Sequence, residues 1–486
     1  MIFLIHVVWF LVFLKLLLFW LWLWQLKEYH FGRFFAHFET QWFKKIISSF
    51  WRPKYPKFTF KISVIFVTSV VLEIALLYYL QFYFAIFLIP FYFVIILTII
   101  LIPVVVLFFQ VIAVSWRNFV ISQAKKRRTE FKELLVVGIT GSYGKTSTKE
   151  FLGAILETKF GEDKILKTKE HQNSEIGISQ CILDELKPQH EIFIAEMGAY
   201  QKGGIKLLAD IIKPKIGIVT GVNEQHLSTF GSMENLLSAE GGKELIESLP
   251  ADGIAFFNAQ NKYCRELYEK TNIKKFLYGQ DAKNFGEENL LGAMAVAKEL
   301  GSLRLRLISP AARGFASLAG MTDEEIQKAA AKIENKLPGM EIKRGIQGIN
   351  IIDASYSANP TGVMAHLDYL KTCSGKKAIV MPCLIELGSA SKEIHKRIGQ
   401  KIAEVCYLAI ITTADRFKEI KEGSKGKAQL MEDPKEIFEK IKSFTRAERR
   451  GGDEASASAT CQAGDTVLLE GRVPDKLIKL LLYESS

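Results

Sequence analysis

From Ile62 to Trp116 the chain carries one charged residue, Glu73, and no Lys or Arg. Such a run cannot be the interior of an ordinary soluble domain. About 20 apolar residues cross the hydrocarbon core of a bilayer, so the run fits two spans with a tight turn near Tyr78 to Phe84. Met1 to Trp24 is apolar apart from His6 and Lys15 and is also long enough to cross. It lacks the basic start and small-residue cleavage site of a signal peptide, so it reads as an uncleaved span. Trp20, Trp22 and Trp24 suit an interfacial belt. Pro90 and Pro103 can kink the last span, which leaves a four-span alternative beside the three-span reading. Glu73 is either a functional intramembrane acid or a locally paired one.

Charge follows the same division. The net charge is +11, and the excess gathers beside the apolar runs. Gln25 to Lys61 holds eight Lys/Arg against two acids, and Arg117 to Lys132 holds six against one. Basic segments of this kind stay on the cytoplasmic side and bind anionic lipid. Two cytoplasmic segments require an even number of spans between them. Three spans over residues 1–118, an outside N-terminus and cytoplasmic globular domains in a cell (inner) membrane satisfy this. The partners expected from charge are therefore membrane lipids and not nucleic acid, because no basic stripe with interleaved aromatics occurs in the globular part. The six cysteines, Cys181, Cys264, Cys373, Cys383, Cys406 and Cys461, include no C-x-x-C pair and read as reduced thiols.

Beyond about residue 130 the sequence becomes that of a globular α/β protein. Strand-like apolar runs (Glu191 to Ala195, Ile216 to Thr220, Ala378 to Met381, Leu408 to Thr412) alternate with helical patterns. This alternation predicts mostly parallel sheets. The first run, LLVVGI at Leu134 to Ile139, leads into Thr140-Gly141-Ser142-Tyr143-Gly144-Lys145-Thr146-Ser147 and a helical stretch from Thr148 to Leu156. Strand, glycine-rich turn, Gly-Lys-Thr and helix are the context of a phosphate-binding loop. Glycines let backbone N–H groups close around phosphate oxygens, and the helix N-terminus adds its positive end. Lys145 can reach the β- and γ-phosphates and the Thr146 hydroxyl can ligate Mg²⁺. The usual first glycine position holds Ile139, so the loop is a variant, T-G-x-x-G-K-T-S.

With that variant loop the chain from about residue 131 to 486 resembles the Mur ligases, which make peptidoglycan precursors by ATP-dependent amide bond formation. Further matching segments follow in order. Thr168 to Ile178 carries a threonine and Asn173 ahead of its Ile176-Gly177, Ile194 to Ala199 contains Glu196, and Thr220 to Leu227 contains His226, with Phe230-Gly231-Ser232 after it. Asn289 to Ala297, Leu337-Pro338-Gly339, Ile352 to Pro360, Ile385 to Gly388 with His395, and Gly464-Asp465 to Gly471-Arg472 complete the series. The Tyr356 to Pro360 and Ile385 to Gly388 elements look most like the subgroup that adds D-alanyl-D-alanine to a muramoyl tripeptide.

Behind the N-terminal transmembrane helices read from the apolar runs, the resemblance implies a P-loop central domain (131–335) and a Rossmann-like C-terminal domain (338–486), with ATP between the two. It implies that a substrate carboxylate attacks the γ-phosphate and that an amine then attacks the acyl phosphate. Thr140, Gly141, Ser142, Gly144, Lys145, Thr146 and Ser147 would bind ATP, with Asn289 at the adenine and Asp353 closing over the nucleotide. Thr146 and Glu196 would hold one Mg²⁺, and His226 a second metal. Lys145, Glu196 and His226 would thus carry catalysis. Asn173, Tyr356, Asn359 and Glu386 would meet the muropeptide acceptor, UDP- or lipid-linked, and the D-Ala-D-Ala amine.

Four departures stand against this pattern. The apolar segment occupies the place of the family's N-terminal UDP-binding domain. The family's carbamylated lysine, in A-K-x-E, has no direct counterpart in Ala239-Glu240-Gly241-Gly242-Lys243-Glu244. Alignment on Glu244 puts Gly242 at that position, with Lys243 one residue on. Met340 replaces an arginine after Gly339, and the segment before Asn289 is short. Ser302 to Gly320 and Arg446 to Ala463 read as inserted loops. Two other readings remain at this stage. One is a folylpolyglutamate- or cyanophycin-type ligase, and the other is a membrane-bound nucleotide-binding scaffold that has lost catalysis.

Overall fold

The computed structural model describes residues 2–26, 55–84, 89–169, 172–283, 286–307, 321–333, 340–355, 358–446 and 464–482. The chain divides into two compact units, Met1–Ser122 and Gln123–Ser486. The first unit is helical: Ile2–Leu26, Phe60–Phe84, and the start of Ile89–Glu130. Phe13, Leu17, Leu21, Ile62, Ile65 and Val106 form its buried centre. Gln25 closes one end through two bonds with the Lys57 backbone, 2.7 and 2.6 Å long. Glu73 is buried in this unit. Val7–Gln25 and Val104–Glu130 are, among the described residues, the stretches long and apolar enough to cross a membrane. Most of the 25–61 basic segment lies outside the described residues.

The second basic segment is not wholly a surface collar. Arg128 is buried and donates to the carbonyls of Ile212, Phe131 and Leu134. Arg127 donates to the carbonyl of Leu186. A guanidinium with five donors satisfies several carbonyls at once, so these two cations bind protein rather than lipid.

The second unit holds two six-stranded sheets. The first has the order β2-β3-β1-β4-β5-β6 and is parallel throughout. Its strands are β1 Leu135–Thr140, β2 Ile165–Lys167, β3 Ile192–Glu196, β4 Ile216–Val219, β5 Ile254–Asn258 and β6 Lys274–Tyr278. β1, β3, β4 and β5 are buried along their whole length, which is why they read as continuous apolar runs. The helices Lys145–Phe160 and Glu287–Leu307 cover one face around Ile155, Val296 and Leu300.

The second sheet has the order β11-β10-β9-β12-β8-β7. It comprises β7 Glu341–Arg344, β8 Asn350–Ala354, β9 Lys377–Met381, β10 Leu408–Ile411, β11 Ala428–Leu430 and β12 Thr466–Glu470. Only the edge pair β7–β8 is antiparallel. Apolar clusters on its two faces centre on Ile379, Ile398 and Leu468 and on Val380, Ile410 and Leu477.

Several sequence expectations change. The helix after the phosphate loop starts at Lys145 and not Thr148, because Gly144 in a left-handed conformation turns the chain straight into it. Residues 302–307 continue a helix from Glu287 and are not loop, as Leu, Arg and Ser are compatible with extending it. The rest of that insertion, and Arg446 to Ala463 apart from its first residue, lie outside the described residues. Cys181, Cys264, Cys383 and Cys406 are free and buried, whereas Cys373 is disulfide-bonded, a departure from the reduced set expected.

Candidate active site

The phosphate loop leaves the C-terminal end of the central strand β1, where open parallel sheets bind ligands. Gly141 (φ +147°) and Gly144 (φ +80°) supply backbone conformations that side chains resist. Space demands them too. A Cβ on Gly141 would lie 2.2 Å from Thr220 Oγ1, and one on Gly144 2.3 Å from Asn289 Oδ1. The loop is held by the segment after β4. Ser142 N–H donates to the Gly221 carbonyl at 2.7 Å, and Thr220 Oγ1 donates to the carbonyls of Thr140 and Tyr143. The Tyr143 ring packs on Gly221, and its hydroxyl accepts from Asn261 at 3.2 Å. Burial pushes that phenol well above its ordinary range.

Within this frame Lys145 Nζ donates to the Gly141 carbonyl at 2.5 Å, folded over its own loop. Thr146 Oγ1 donates to Glu196 Oε2 at 2.9 Å. Glu196 stands at the end of β3, beside β1 in register, which is what brings a residue 50 positions away onto the loop. Asn173 Nδ2 donates to its other oxygen at 3.2 Å. Lys149 Nζ, fully buried, lies 3.5 Å from Glu196 Oε2 and 3.2 Å from Glu150. Ser147 continues the helix.

Hydroxyl beside carboxylate is a donor set that suits Mg²⁺. Mg²⁺ keeps several waters and takes one or two carboxylates plus substrate phosphates rather than a full protein cage.

A second cluster faces the same loop. His226, at φ +66°, places Nδ1 3.1 Å from Glu240 Oε1. Glu240 Oε2 accepts from Ser142 Oγ at 3.1 Å. His226 Nε2 lies 3.8 Å from Glu386 Oε2, across the boundary between the two sheets. Burial lowers the imidazole's proton affinity, but Glu240 and Glu386 outweigh it and the net direction is upward. The Glu386 loop is fastened twice: Ser228 N–H donates to the Glu386 carbonyl at 3.1 Å, and His395 Nε2 accepts from Leu384 N–H at 2.9 Å. His395 is thus a buried support for that loop, with its ring held by the Ser391 carbonyl at 2.6 Å.

Of the remaining predicted residues, Asn289 is buried against Gly144 and accepts from Thr148 Oγ1 at 3.3 Å. Asn359 caps the helix Pro360–Thr372 and accepts from Asn223 Nδ2 at 3.0 Å. Asp353, at the end of β8, is bound to Lys343 Nζ at 2.7 Å and to Ser355. Burial alone would raise its carboxyl, but these two partners hold it below the ordinary range. Both partners belong to the second sheet and its flank. Tyr356 lies outside the described residues.

The A-K-x-E region resolves differently from either alignment. Lys243 is exposed and reaches Glu247 at 3.8 Å. Glu244 caps the helix Gly204–Ile212, accepting from Gly203 N–H at 2.7 Å and Lys206 N–H at 3.0 Å. The residue that reaches the site is Glu240, which the sequence reading passed over along with Lys149. The one local signal was an acid placed between Ala239 and two glycines. Its partners are 98 and 14 residues away, so only the fold reveals them.

Comparison with known proteins agrees with this architecture. Residues 139–313 match the Mur ligase middle domain, and residues 340–473 the Mur ligase glutamate ligase domain. A UDP-N-acetylmuramoyl-tripeptide–D-alanyl-D-alanine ligase from Synechocystis is 31% identical over 276 residues, covering 55% of this chain and 59% of that protein. The enzyme of that name from Bacillus subtilis is 28% identical, covering 55% and 60%. The chain thus spans about three fifths of the length of these relatives. A MurF structure from Acinetobacter baumannii aligns with a TM-score of 0.59 at 21% identity, over 73% of this chain and 78% of that one. MurF from Thermotoga maritima in complex with ADP aligns at 0.58 and 22%, over 75% and 83%. Two consecutive domain matches, on two sheets of which the first carries the phosphate loop, place this chain in the Mur ligase family.

Proposed function

We propose that this chain is an ATP-dependent acid–amino acid ligase that joins D-Ala-D-Ala to a muramoyl peptide through an acyl phosphate, in peptidoglycan precursor synthesis. The observation that carries the reading is the meeting of three groups at one loop. These are Thr146 with Glu196, Ser142 with Glu240 and His226, and Glu386 from the second sheet. The similarity to UDP-N-acetylmuramoyl-tripeptide–D-alanyl-D-alanine ligases supports the choice of amine.

In the first step a carboxylate oxygen of the acceptor attacks the γ-phosphorus of ATP, and ADP leaves. In the second the amine nitrogen attacks the acyl carbon, loses its proton, and inorganic phosphate leaves. Phosphoryl transfer needs positioning and charge neutralisation above all. The loop N–H groups and Lys145 hold the β- and γ-phosphates once Lys145 leaves the Gly141 carbonyl. Asn289, in the first turn of the helix Glu287–Leu307 and against Gly144, would contact the adenine. Mg²⁺, held through Thr146 and Glu196 with a second ion at His226, would supply charge neutralisation between γ-phosphate and acceptor. Lys149 balances the charge of Glu196 from the buried side. Asn173 and Glu386 flank the acceptor side, and Asn359 and Tyr356 belong to the segment that meets it.

The apolar unit embeds in a membrane in this reading. Leu11, Val67, Val71, Phe108 and Val111 are exposed, the kind of surface a bilayer covers. The acceptor's carrier is open to direct test. Full-length protein in detergent is given ATP, D-Ala-D-Ala, and either a UDP-linked or a lipid-linked muramoyl tripeptide. ADP release that requires both acceptor and amine supports the ligase. ADP release indifferent to both contradicts it.

A further inference from the structure

Glu240 is the most enclosed acid at the phosphate loop, 2% exposed. It sits in the turn after the helix Met233–Ser238, and the turn has little freedom. A Cβ on Gly241 would lie 2.3 Å from the Leu237 carbonyl oxygen, and one on Gly242 (φ +91°) 2.4 Å from Val219 Cγ2. The carboxylate is shared between two partners. Oε2 takes the Ser142 hydroxyl at 3.1 Å, and Oε1 lies 3.1 Å from His226 Nδ1. An ionised carboxylate only accepts, so Ser142 must donate its O–H and His226 its Nδ1–H. The ring's other nitrogen, Nε2, then faces outward toward Glu386. Its position is fixed further by the Tyr200 ring, edge-on at 6.0 Å.

We propose that Glu240 is a positioning residue: it ties Ser142 of the phosphate loop to His226, fixes the Nδ1–H form of that ring, and so leaves the Nε2 lone pair free for a divalent cation on the acceptor side. A histidine ligand's tautomer is set by the hydrogen bond at its other nitrogen, and here that bond also reports on the loop. The inference rests on the reading of His226 as a cation ligand.

The test uses full-length protein in detergent, labelled with ¹⁵N-histidine and observed at pH 9, with His226→Gln to assign the signal. Wild-type His226 is expected to carry its proton on Nδ1. In Glu240→Leu, which removes the acceptor at similar volume, the proton is expected to move to Nε2, and Glu240→Asp is expected to restore Nδ1–H. Mn²⁺ binding is followed by electron paramagnetic resonance with β,γ-imido-ATP present. Two ions are expected per wild-type chain and one per Glu240→Leu chain. Should the Leu variant fail to fold, Glu240→Gln gives the answer through a second-ion affinity weakened roughly 10- to 100-fold. An unchanged proton position, or an unchanged second-ion affinity, overturns the proposal. Failure of the wild type to bind the nucleotide analogue would instead overturn the underlying nucleotide reading.

Discussion

Lys145 rests on the carbonyl of Gly141, so its ammonium is already inside the loop where phosphate oxygens would lie. Removing it leaves the backbone cradle intact but deletes a cation from the loop. Lys145→Ala is expected to weaken ATP binding at least tenfold, about 1.4 kcal/mol, with little change in thermal stability. Isothermal titration with ATP and a melting curve check the two halves. Equal affinity in both proteins would remove Lys145 from the site. Glu196 and His226 were legible at this scale because their order after a Gly-Lys-Thr is informative. Glu240 and Lys149 were not, since a single acid or lysine is identified only by the partners a fold gives it. Asp353 shows the converse. Its place in a matching motif was legible, while its pairing with Lys343 on the neighbouring strand depended on β7 running antiparallel to β8.

Elements were legible wherever burial is two-sided. The wholly buried strands β1, β3 and β4 appeared as unbroken apolar runs, and the structure finds them within a residue or two of the expected limits. Helix starts were harder, because Gly144 turns the chain through a positive φ rather than through a Ser or Asp cap. That glycine is also the joint between the loop and Asn289. Gly144→Ala would force an L-residue into the left-handed region, at about 1–2 kcal/mol. It would also push a methyl against Asn289 Oδ1. Both loss of stability and loss of ATP binding are expected, read by thermal unfolding and titration. A Gly144→Ala protein that binds ATP normally would show that the Gly144–Asn289 contact is dispensable.

At the scale of the molecule, the segment from Thr220 to Ser228 links the two sheets. Its start holds the phosphate loop, and Asn223 donates to Asn359 and Thr361 at 3.0 Å each. His226 and Ser228 meet Glu386. Closure between such domains assembles a reaction site. Asn223→Ala is accordingly expected to lower kcat while leaving the affinity for ATP alone within about threefold, since its Nδ2 bonds reach the second sheet and its remaining bond, from Gln225 N–H to Oδ1, is local to its own segment. Steady-state kinetics beside titration separates the two, and a fall in ATP affinity with kcat unchanged would contradict it. Nothing in local sequence pattern could reveal this link, because it pairs residues more than 130 positions apart. The central claim is that the acceptor's own carboxylate attacks ATP. It is tested most directly with a muramoyl tripeptide labelled with ¹⁸O in its terminal carboxylate, in the presence of ATP and D-Ala-D-Ala. The account predicts one ¹⁸O in each inorganic phosphate released, together with the amide product. Phosphate free of label, formed by attack of water, would contradict it.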